Sequence, residues 1–197
     1  MRADFAVPGA AVYRPIGLLL GLLLAMSPTL ANAGERSAAE TRLKASFVYK
    51  FTHFVEWPAD SLGPPTSSLR ICTLASRVFA VQLGKIVQHR SAHGHALEVF
   101  HLEAGNKLLG CKVLFVEQSF DSQIVALGDR LRGQATLTIG ESQAFLDHGG
   151  MIALLKQGRR LQFEVNRQAF QASSLLPSSQ LLRLASKPGS HNGRGGL

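Results

Sequence analysis

The sequence lacks the short motifs that commonly mark catalytic or phosphate-binding sites. It contains no Gly-x-Ser-x-Gly elbow for a serine nucleophile, no Gly-x-Gly-x-x-Gly or Walker loop, and no acid pair that stands out for general acid–base chemistry. Its positive residues are scattered without a tight run, and no aromatic-basic recognition motif occurs. These absences predict a non-catalytic protein that needs no cofactor and binds no nucleic acid.

Long apolar segments are also lacking. The apolar run at residues 16–25 is about half of the roughly 20 residues needed to span a bilayer. Arg2 and Arg14 precede it and Ala31-Asn32-Ala33 follows, which is typical of a cleavable secretory signal over residues 1–33, with a retained anchor as the alternative. The sequence therefore predicts export to the periplasm.

Cleavage at this point would leave 164 of the 197 residues and take the formal charge from +8 to +7, because Arg2, Arg14 and Asp4 are lost. This length suits one domain, predicted at residues 34–187, and the Gly-rich residues 188–197 are expected to form a disordered tail. A basic balance of this kind is compatible with binding to an anionic membrane surface or nucleic acid, but the positive residues are scattered from Arg36 to Arg194 without a tight run.

Cysteine is scarce: only Cys72 and Cys111 occur, both in the part predicted to be exported. An oxidising compartment favours a disulfide between them, which would restrict the unfolded chain by roughly 3 to 4 kcal/mol. The alternative is two buried thiols on neighbouring strands, since the sequence does not give the distance between their Cα atoms.

Residues 42–58 combine a helical stripe with an abrupt stop. Apolar side chains recur along this segment at a spacing that places them on one side of a helix: Leu43, Phe47, Val48, Phe51, Phe54 and Val55. Lys44, Lys50 and Glu56 are predicted to face away. Because proline disfavours a helical conformation in the residue before it, Trp57-Pro58 predicts that the helix ends at about Glu56.

Short β-prone runs alternate with helical patterns through the rest of the chain. The predicted strands are residues 69–74, 96–102, 111–117, 135–139, 151–155 and 159–166. The predicted helices begin near Ser76 and cover about residues 121–132, 142–147 and 167–185, the last with an interruption at Leu176-Pro177 as the alternative.

Two of the predicted strands have distinctive patterns. Residues 111–117 are apolar almost throughout, which indicates a central parallel strand covered on both faces, whereas residues 159–166 alternate and are expected at an edge. The fold class predicted is α/β, a single domain with a largely parallel sheet flanked by helices and preceded by an N-terminal amphipathic helix.

Open α/β sheets bind ligands at the carboxyl ends of their strands. The candidates at those ends are Ser76, Arg77, Ser119 and Glu141, where backbone N–H groups could meet an anionic ligand. Simple helix capping is the alternative for each.

Two further groups of polar residues are weaker candidates. Glu164 and Asn166, on the predicted edge strand, are candidates for binding a ligand or partner, with a solvated carboxylate as the alternative. Close histidine spacing also raises a metal hypothesis, against a polar turn between elements, for His89, His93, His95 and His101.

Several ordered sequence blocks resemble the YfiR-like family of bacterial periplasmic regulators. Besides residues 42–58 they are residues 69–72, 111–119, 137–141, 145–152, 160–166 and 178–185. The resemblance implies an exported, non-catalytic α/β regulator that binds and represses an inner-membrane diguanylate cyclase. Another membrane sensor protein, such as a histidine kinase served by a small-molecule ligand, is the alternative partner, and relatives suggest a homodimer.

The resemblance also has consequences for individual residues. Cys72 and Cys111 match the cysteine pair of the family, which implies a disulfide, and Glu164 and Asn166 match its Phe-Glu-x-Asn block near a ligand or partner surface. Residues 74–79 lack the Gly-Asp-Pro character of relatives, and the second cysteine pair of some relatives is absent.

Overall fold

The computed structural model describes residues 29–103, 108, 110–131 and 133–186, with side chains from residue 34 onward. The predicted tail and most of the predicted signal segment therefore lie outside the described residues. Strands are β1 (Val55–Glu56), β2 (Leu69–Leu74), β3 (Ser91–Ala92), β4 (His95–His101), β5 (Val113–Val116), β6 (Leu137–Gly140), β7 (Ile152–Gln157), β8 (Arg160–Val165) and β9 (Leu176–Pro177). Helices are α1 (Thr29–Phe51), α2 (Arg77–Val87), α3 (Ile124–Leu131), α4 (Gln143–Asp147), α5 (Arg167–Ser173) and α6 (Ser179–Leu184), and Gln118–Gln123 forms a 3-10 helix before α3.

The described strands form one mixed sheet in the order β3-β4-β2-β5-β6-β7-β8 and a small ribbon of β1 with β9. Strands β4, β2, β5, β6 and β7 are parallel, while β3 and β8 pair antiparallel at the two edges. The predicted α/β class is confirmed. So are the central position of β5, whose four residues are all buried, and the edge position of β8.

The sheet packs helices on both faces because its buried side chains alternate between them. On one face Phe115 stacks on Phe79 of α2 with ring centroids 4.1 Å apart, and Phe163 meets Phe51 of α1 at 5.1 Å. On the other face Leu114 and Val116 pack with Ile124 of α3. Only the part of α1 from Glu40 onward belongs to the compact unit that contains the sheet, and the packing described here is that of this part.

The disulfide predicted between Cys72 and Cys111 is present. Their Cα atoms lie 5.7 Å apart, and the two cysteines are 39 positions apart in sequence. The bond joins the middle of β2 to the segment before β5, and these two strands are neighbours in the sheet.

The predicted end of the first helix is wrong. The helix ends at Phe51, where the N–H groups of the next three residues donate to carbonyls three residues back at 3.0 to 3.2 Å. Val55 and Glu56 then leave the helix and pair antiparallel with Pro177 and Leu176. Pro58 fixes only the last position that the helix could reach. The helix ends earlier because Val55 and Glu56 pair with β9 instead of continuing it.

The orientation predicted for Lys44 is also wrong. Its ammonium does not face away from the protein but forms ion pairs with Glu40 and Glu141, and its side chain is 19% exposed. Leu43, predicted to lie on the buried side, is 47% exposed. The final helical segment is interrupted at Leu176–Pro177, as the alternative interpretation held.

Candidate functional site

The strand order places a topological switch point between β2 and β5. The chain leaves β2 through α2 and reaches β4 on one side, and it then returns to β5 on the other side of β2. In open α/β sheets a crevice forms at the carboxyl ends of two such strands. Ser76 follows β2 and Ser119 follows β5, so the sequence placed two of its candidates at this point.

Glu117 fills the position at this switch point where an anionic ligand was predicted. Its Oε2 accepts the backbone N–H of Ser76 at 2.7 Å, and its Oε1 lies 3.3 Å from the Ser76 hydroxyl. The same hydroxyl accepts the N–H of Phe79 at 3.4 Å and so caps α2. The sequence analysis missed Glu117, although an acid directly after a central strand was a signal that could have identified it.

Glu141 lies at the carboxyl end of β6 and joins this cluster. Its Oε2 accepts the backbone N–H of Gln118 at 3.2 Å, and its Oε1 is 3.1 Å from Nζ of Lys44. The carboxylate side chain is 7% exposed. Lys44 also pairs with Glu40 at 3.0 Å, and Glu40 pairs in turn with Lys156 of β7. We call Ser76, Glu117, Glu141 and Lys44 the strand-end cluster.

Charge and burial shift the ionisable groups around Lys44 in different directions. Burial raises the pKa of Glu141, and repulsion from Glu117 adds to this, while Lys44 opposes both. Burial alone would lower the pKa of Lys44, but attraction from Glu141 and Glu40 outweighs it, and the pKa is raised. The hydrogen bond from Lys156 is the main reason that the pKa of Glu40 is lowered. Pairing with Glu141 thus stabilises the charged form of Lys44. For Glu141, burial destabilises the charged carboxylate more than pairing with Lys44 stabilises it.

The remaining strand-end candidates are exposed. Arg77 begins α2 and Ser119 lies in the 3-10 helix after β5, and both side chains face solvent. Ser142 caps α4 by accepting the N–H of Phe145 at 3.0 Å. Capping, the alternative at each strand end, is therefore what Ser76 and Ser142 do in the structure.

Glu164 and Asn166 lie at a second place, on the buried side of β8 and at its end. Glu164 is 1% exposed and lies opposite Ala153 of β7, so it is not the solvated carboxylate of the alternative interpretation. Asn166 caps α5 by accepting the N–H of Ala169 at 3.1 Å, and it donates to the carbonyl of Leu146 at 3.2 Å.

Both residues line a cavity of about 430 Å³, which we call the β8 cavity. Its other walls come from α4, the start of α5, α6 and the residues that follow α6, and they include Gln143, Asp147, Arg167 and Leu182. Polar and charged groups thus surround a space large enough for a side chain of a partner or a small ligand.

A further cavity of about 390 Å³ lies on the face of the sheet that carries the disulfide. Its floor includes Leu114 and Val116, and helices α3 and α5 contribute Leu127 and Ala172 to its walls. It contains none of the candidate residues, and no motif in the sequence marked it.

The four histidines of the metal hypothesis do not converge. His93 Nε2 lies 2.8 Å from the carbonyl oxygen of Thr52, and His95 Nδ1 lies 2.9 Å from that of Ser67. Within the described ranges, no three His, Cys, Asp or Glu side chains are grouped so that they could hold a metal ion.

Comparison with protein families gives a match over most of the chain. The model of the family described as YfiR/HmsC-like covers residues 41–186, and the chain belongs to that family. Its members are regulators rather than enzymes, act in the periplasm and control diguanylate cyclases. The part of the chain that the structure describes holds no helix long and apolar enough to cross a membrane.

Comparison with curated proteins finds no match. Among solved structures, one similar chain is the ABC domain in complex with L-Trp from Streptococcus pneumonia, at 11% identity and a TM-score of 0.44. The match covers 64% of the present chain and 56% of that chain, so the present chain spans little more than half of it. This similarity is too low to support a statement about function.

Proposed function

We propose that this protein binds the periplasmic sensor region of an inner-membrane diguanylate cyclase and represses cyclic-di-GMP synthesis. The observation that carries the proposal is the family match over residues 41–186, which includes nearly every described element of the fold. Family members control cyclases of this kind, and the mature chain would reach its partner from the periplasm after loss of residues 1–33.

The β8 cavity is the surface that we assign to the partner. Glu164 is a carboxylate removed from water at 1% exposure, and a charge in that position is stabilised only by specific neighbours. Arg167 and Asp147 line the same space, which gives the cavity charges of both signs with which to recognise a partner side chain. The strand-end cluster is less suitable, since none of its four residues lines either of the two described cavities.

Repression follows from differential binding. If the protein prefers the inactive conformation of the cyclase, binding shifts the population toward that conformation, and a signal that weakens the preference releases the enzyme. A protein of this kind needs no catalytic group of its own.

A second candidate function is a sensor that holds a small molecule and presents it to a membrane receptor. The observation in its favour is the size of the β8 cavity, because about 430 Å³ falls within the range of small-molecule sites. Saturable binding of a metabolite by the isolated protein would distinguish this function from direct repression.

The test is capture of the tagged protein from solubilised inner membranes of its own host, followed by mass spectrometry. The wild type, Glu164→Gln and a surface control, Arg159→Gln, are compared; Arg159 lies exposed in the turn between β7 and β8. Recovery of a diguanylate cyclase by the wild type and the control, with loss in Glu164→Gln, supports the proposal. Reproducible recovery of no signalling receptor would contradict it and favour the ligand sensor.

A further inference from the structure

Four basic side chains gather at the amino end of the sheet, where α1 ends. The guanidinium carbon of Arg90 lies 4.9 Å from the ring centroid of Tyr49, and the ring of His53 meets the same ring edge-on at 4.9 Å. Lys50 follows Tyr49 in α1, and His93 reaches the backbone of Thr52. We call Lys50, His53, Arg90 and His93 the basic surface.

This surface is exposed but its geometry is fixed. All four basic side chains are exposed, and the Tyr49 ring lies between Arg90 and His53. His93 has a positive φ of 52°, and its ring lies 5.3 Å from that of Trp57, whose Nε1 donates to the carbonyl of Ala135 at 3.1 Å. These contacts anchor the surface to the sheet.

The charges on this surface share one sign. Burial lowers the pKa of His53 below its ordinary 6.5, and repulsion from His93, Lys50 and Arg90 lowers it further. The carbonyl oxygen of Thr52 can only accept, so Nε2 of His93 carries a proton. Acid therefore adds positive charge to a place that is already positive.

We propose that the basic surface docks on the anionic headgroups of a phospholipid membrane and binds them more tightly as the pH falls. The four residues line neither of the two cavities described above, which suits a plane of many anions better than an enclosed ligand. The mature chain is basic, with a formal charge of +7, so long-range attraction has the same sign as the local one.

The pH dependence follows from the groups that face His53. Lys50, Arg90, His93 and the Tyr49 ring surround it, and the three charged groups among them disfavour its imidazolium form in the unbound protein. Anionic headgroups nearby would offset this repulsion, so His53 takes up a proton when the protein binds. Proton uptake on binding means that affinity rises as the pH falls.

The experiment is co-sedimentation of the purified mature chain, residues 34–197, with vesicles of phosphatidylcholine alone or mixed with phosphatidylglycerol, at neutral pH and at about pH 5.5. The Lys50→Gln/Arg90→Gln variant is compared with Arg159→Gln/Arg160→Gln, which removes the same charge from the exposed turn before β8 and the exposed first residue of β8. Each cation close to an anionic bilayer strengthens binding about fivefold, so the first variant should bind roughly 25-fold more weakly and the control much less so. His53→Gln should bind at neutral pH as the wild type does and lose most of the increase in acid.

Three results would overturn the proposal. The first is equal binding to vesicles with and without phosphatidylglycerol, and the second is an equal loss in the two double variants. The third is binding to an acidic peptide such as polyglutamate without binding to the vesicles, which would assign the surface to a protein partner. Repression of a cyclase does not enter this measurement, so the proposal stands or fails independently of the proposed function.

Discussion

The strand-end cluster and the β8 cavity both contain buried carboxylates, but the two places use them differently. In the cluster, Glu117 and Glu141 accept backbone N–H groups at 2.7 and 3.2 Å, and Lys44 neutralises Glu141. At β8, Glu164 is only 1% exposed, and it lines about 430 Å³ of space. Polar groups at strand ends therefore indicate a binding site only where the neighbouring elements also leave volume for a ligand.

The difference arises from the connections that follow the strands. After β2 and β5 the chain turns into helical segments, and the N–H groups of Ser76 and Gln118 donate to the acids that follow the neighbouring strands β5 and β6. At β8 the connection to α5 is capped by Asn166, while α4 and α6 stand on either side of the cavity. Internal hydrogen bonds close the first place, and the second stays open.

The largest expected effect is on stability and concerns the disulfide, which lies away from the β8 cavity. Cys72→Ala/Cys111→Ala removes a bond that closes a loop between residues 39 positions apart, which should lower the free energy of unfolding by about 4 kcal/mol. Urea unfolding measures this change, and reduction of the wild type should give a similar value. The bond joins β2 to the segment before β5, and β5, the nearer of these two strands to β8, is three strands away from it. The folded fraction should therefore still capture the partner. Loss of capture by protein that remains folded would break the comparison.

Neutralising a carboxylate in each place is the next test. Glu164→Gln should weaken capture of the membrane partner tenfold or more, which corresponds to about 1.4 kcal/mol of binding free energy. Glu141→Gln is the matched control, because it also removes one buried negative charge, and it should leave capture unchanged. Titration of the solubilised partner against each immobilised variant gives the affinities. Equal losses would mean that the two carboxylates do not differ in function.

Two helix caps provide a smaller and closely matched pair. Ser76 caps α2 and Asn166 caps α5, so Ser76→Ala and Asn166→Ala should each lower the free energy of unfolding by about 1 kcal/mol. Only the Asn166 variant should also weaken capture, since Asn166 lines the β8 cavity. Thermal unfolding and the capture assay are run on the same preparations, and a Ser76 variant that captures poorly would contradict the assignment.

Much of the fold was predictable because the hydrophobic patterns of several segments were compatible with only one position in the sheet. The apolar run at β5 needed burial on both faces, which only a central strand provides, and the alternation at β8 needed one wetter face. The cap at Ser76 was likewise local. The end of α1 was not, because Val55 and Glu56 pair with residues far along the chain.

The candidate site was predictable only in its location. Ser76 and Glu141 were placed at strand ends, but their partners depend on the strand order, which sequence spacing does not give. Helical periodicity predicted that Lys44 faces solvent, but its long side chain reaches the carboxylate of Glu141 at the carboxyl end of β6. The burial of Glu164 likewise depends on helices α4 and α6, which lie before and after β8 in the chain.

The smallest expected effect concerns pH and the two carboxylates that share Lys44. Burial raises the pKa of Glu141 in the folded protein, so protonation of this carboxylate favours the folded state. Relative to Glu141→Gln, the wild type should therefore be most stable below pH 4.5. This advantage should disappear as the pH rises through the raised pKa of Glu141. The pKa of Glu40 is lowered, chiefly by Lys156, so relative to Glu40→Gln the wild type should be more stable above pH 4.5 and lose that advantage as the pH falls through the lowered pKa. Urea unfolding of the three proteins across this range should give differences below about 1 kcal/mol with opposite slopes. Slopes of the same sign would show that burial does not separate Glu141 from its partly exposed neighbour, and the strand-end cluster would then be less closed than its hydrogen bonds indicate.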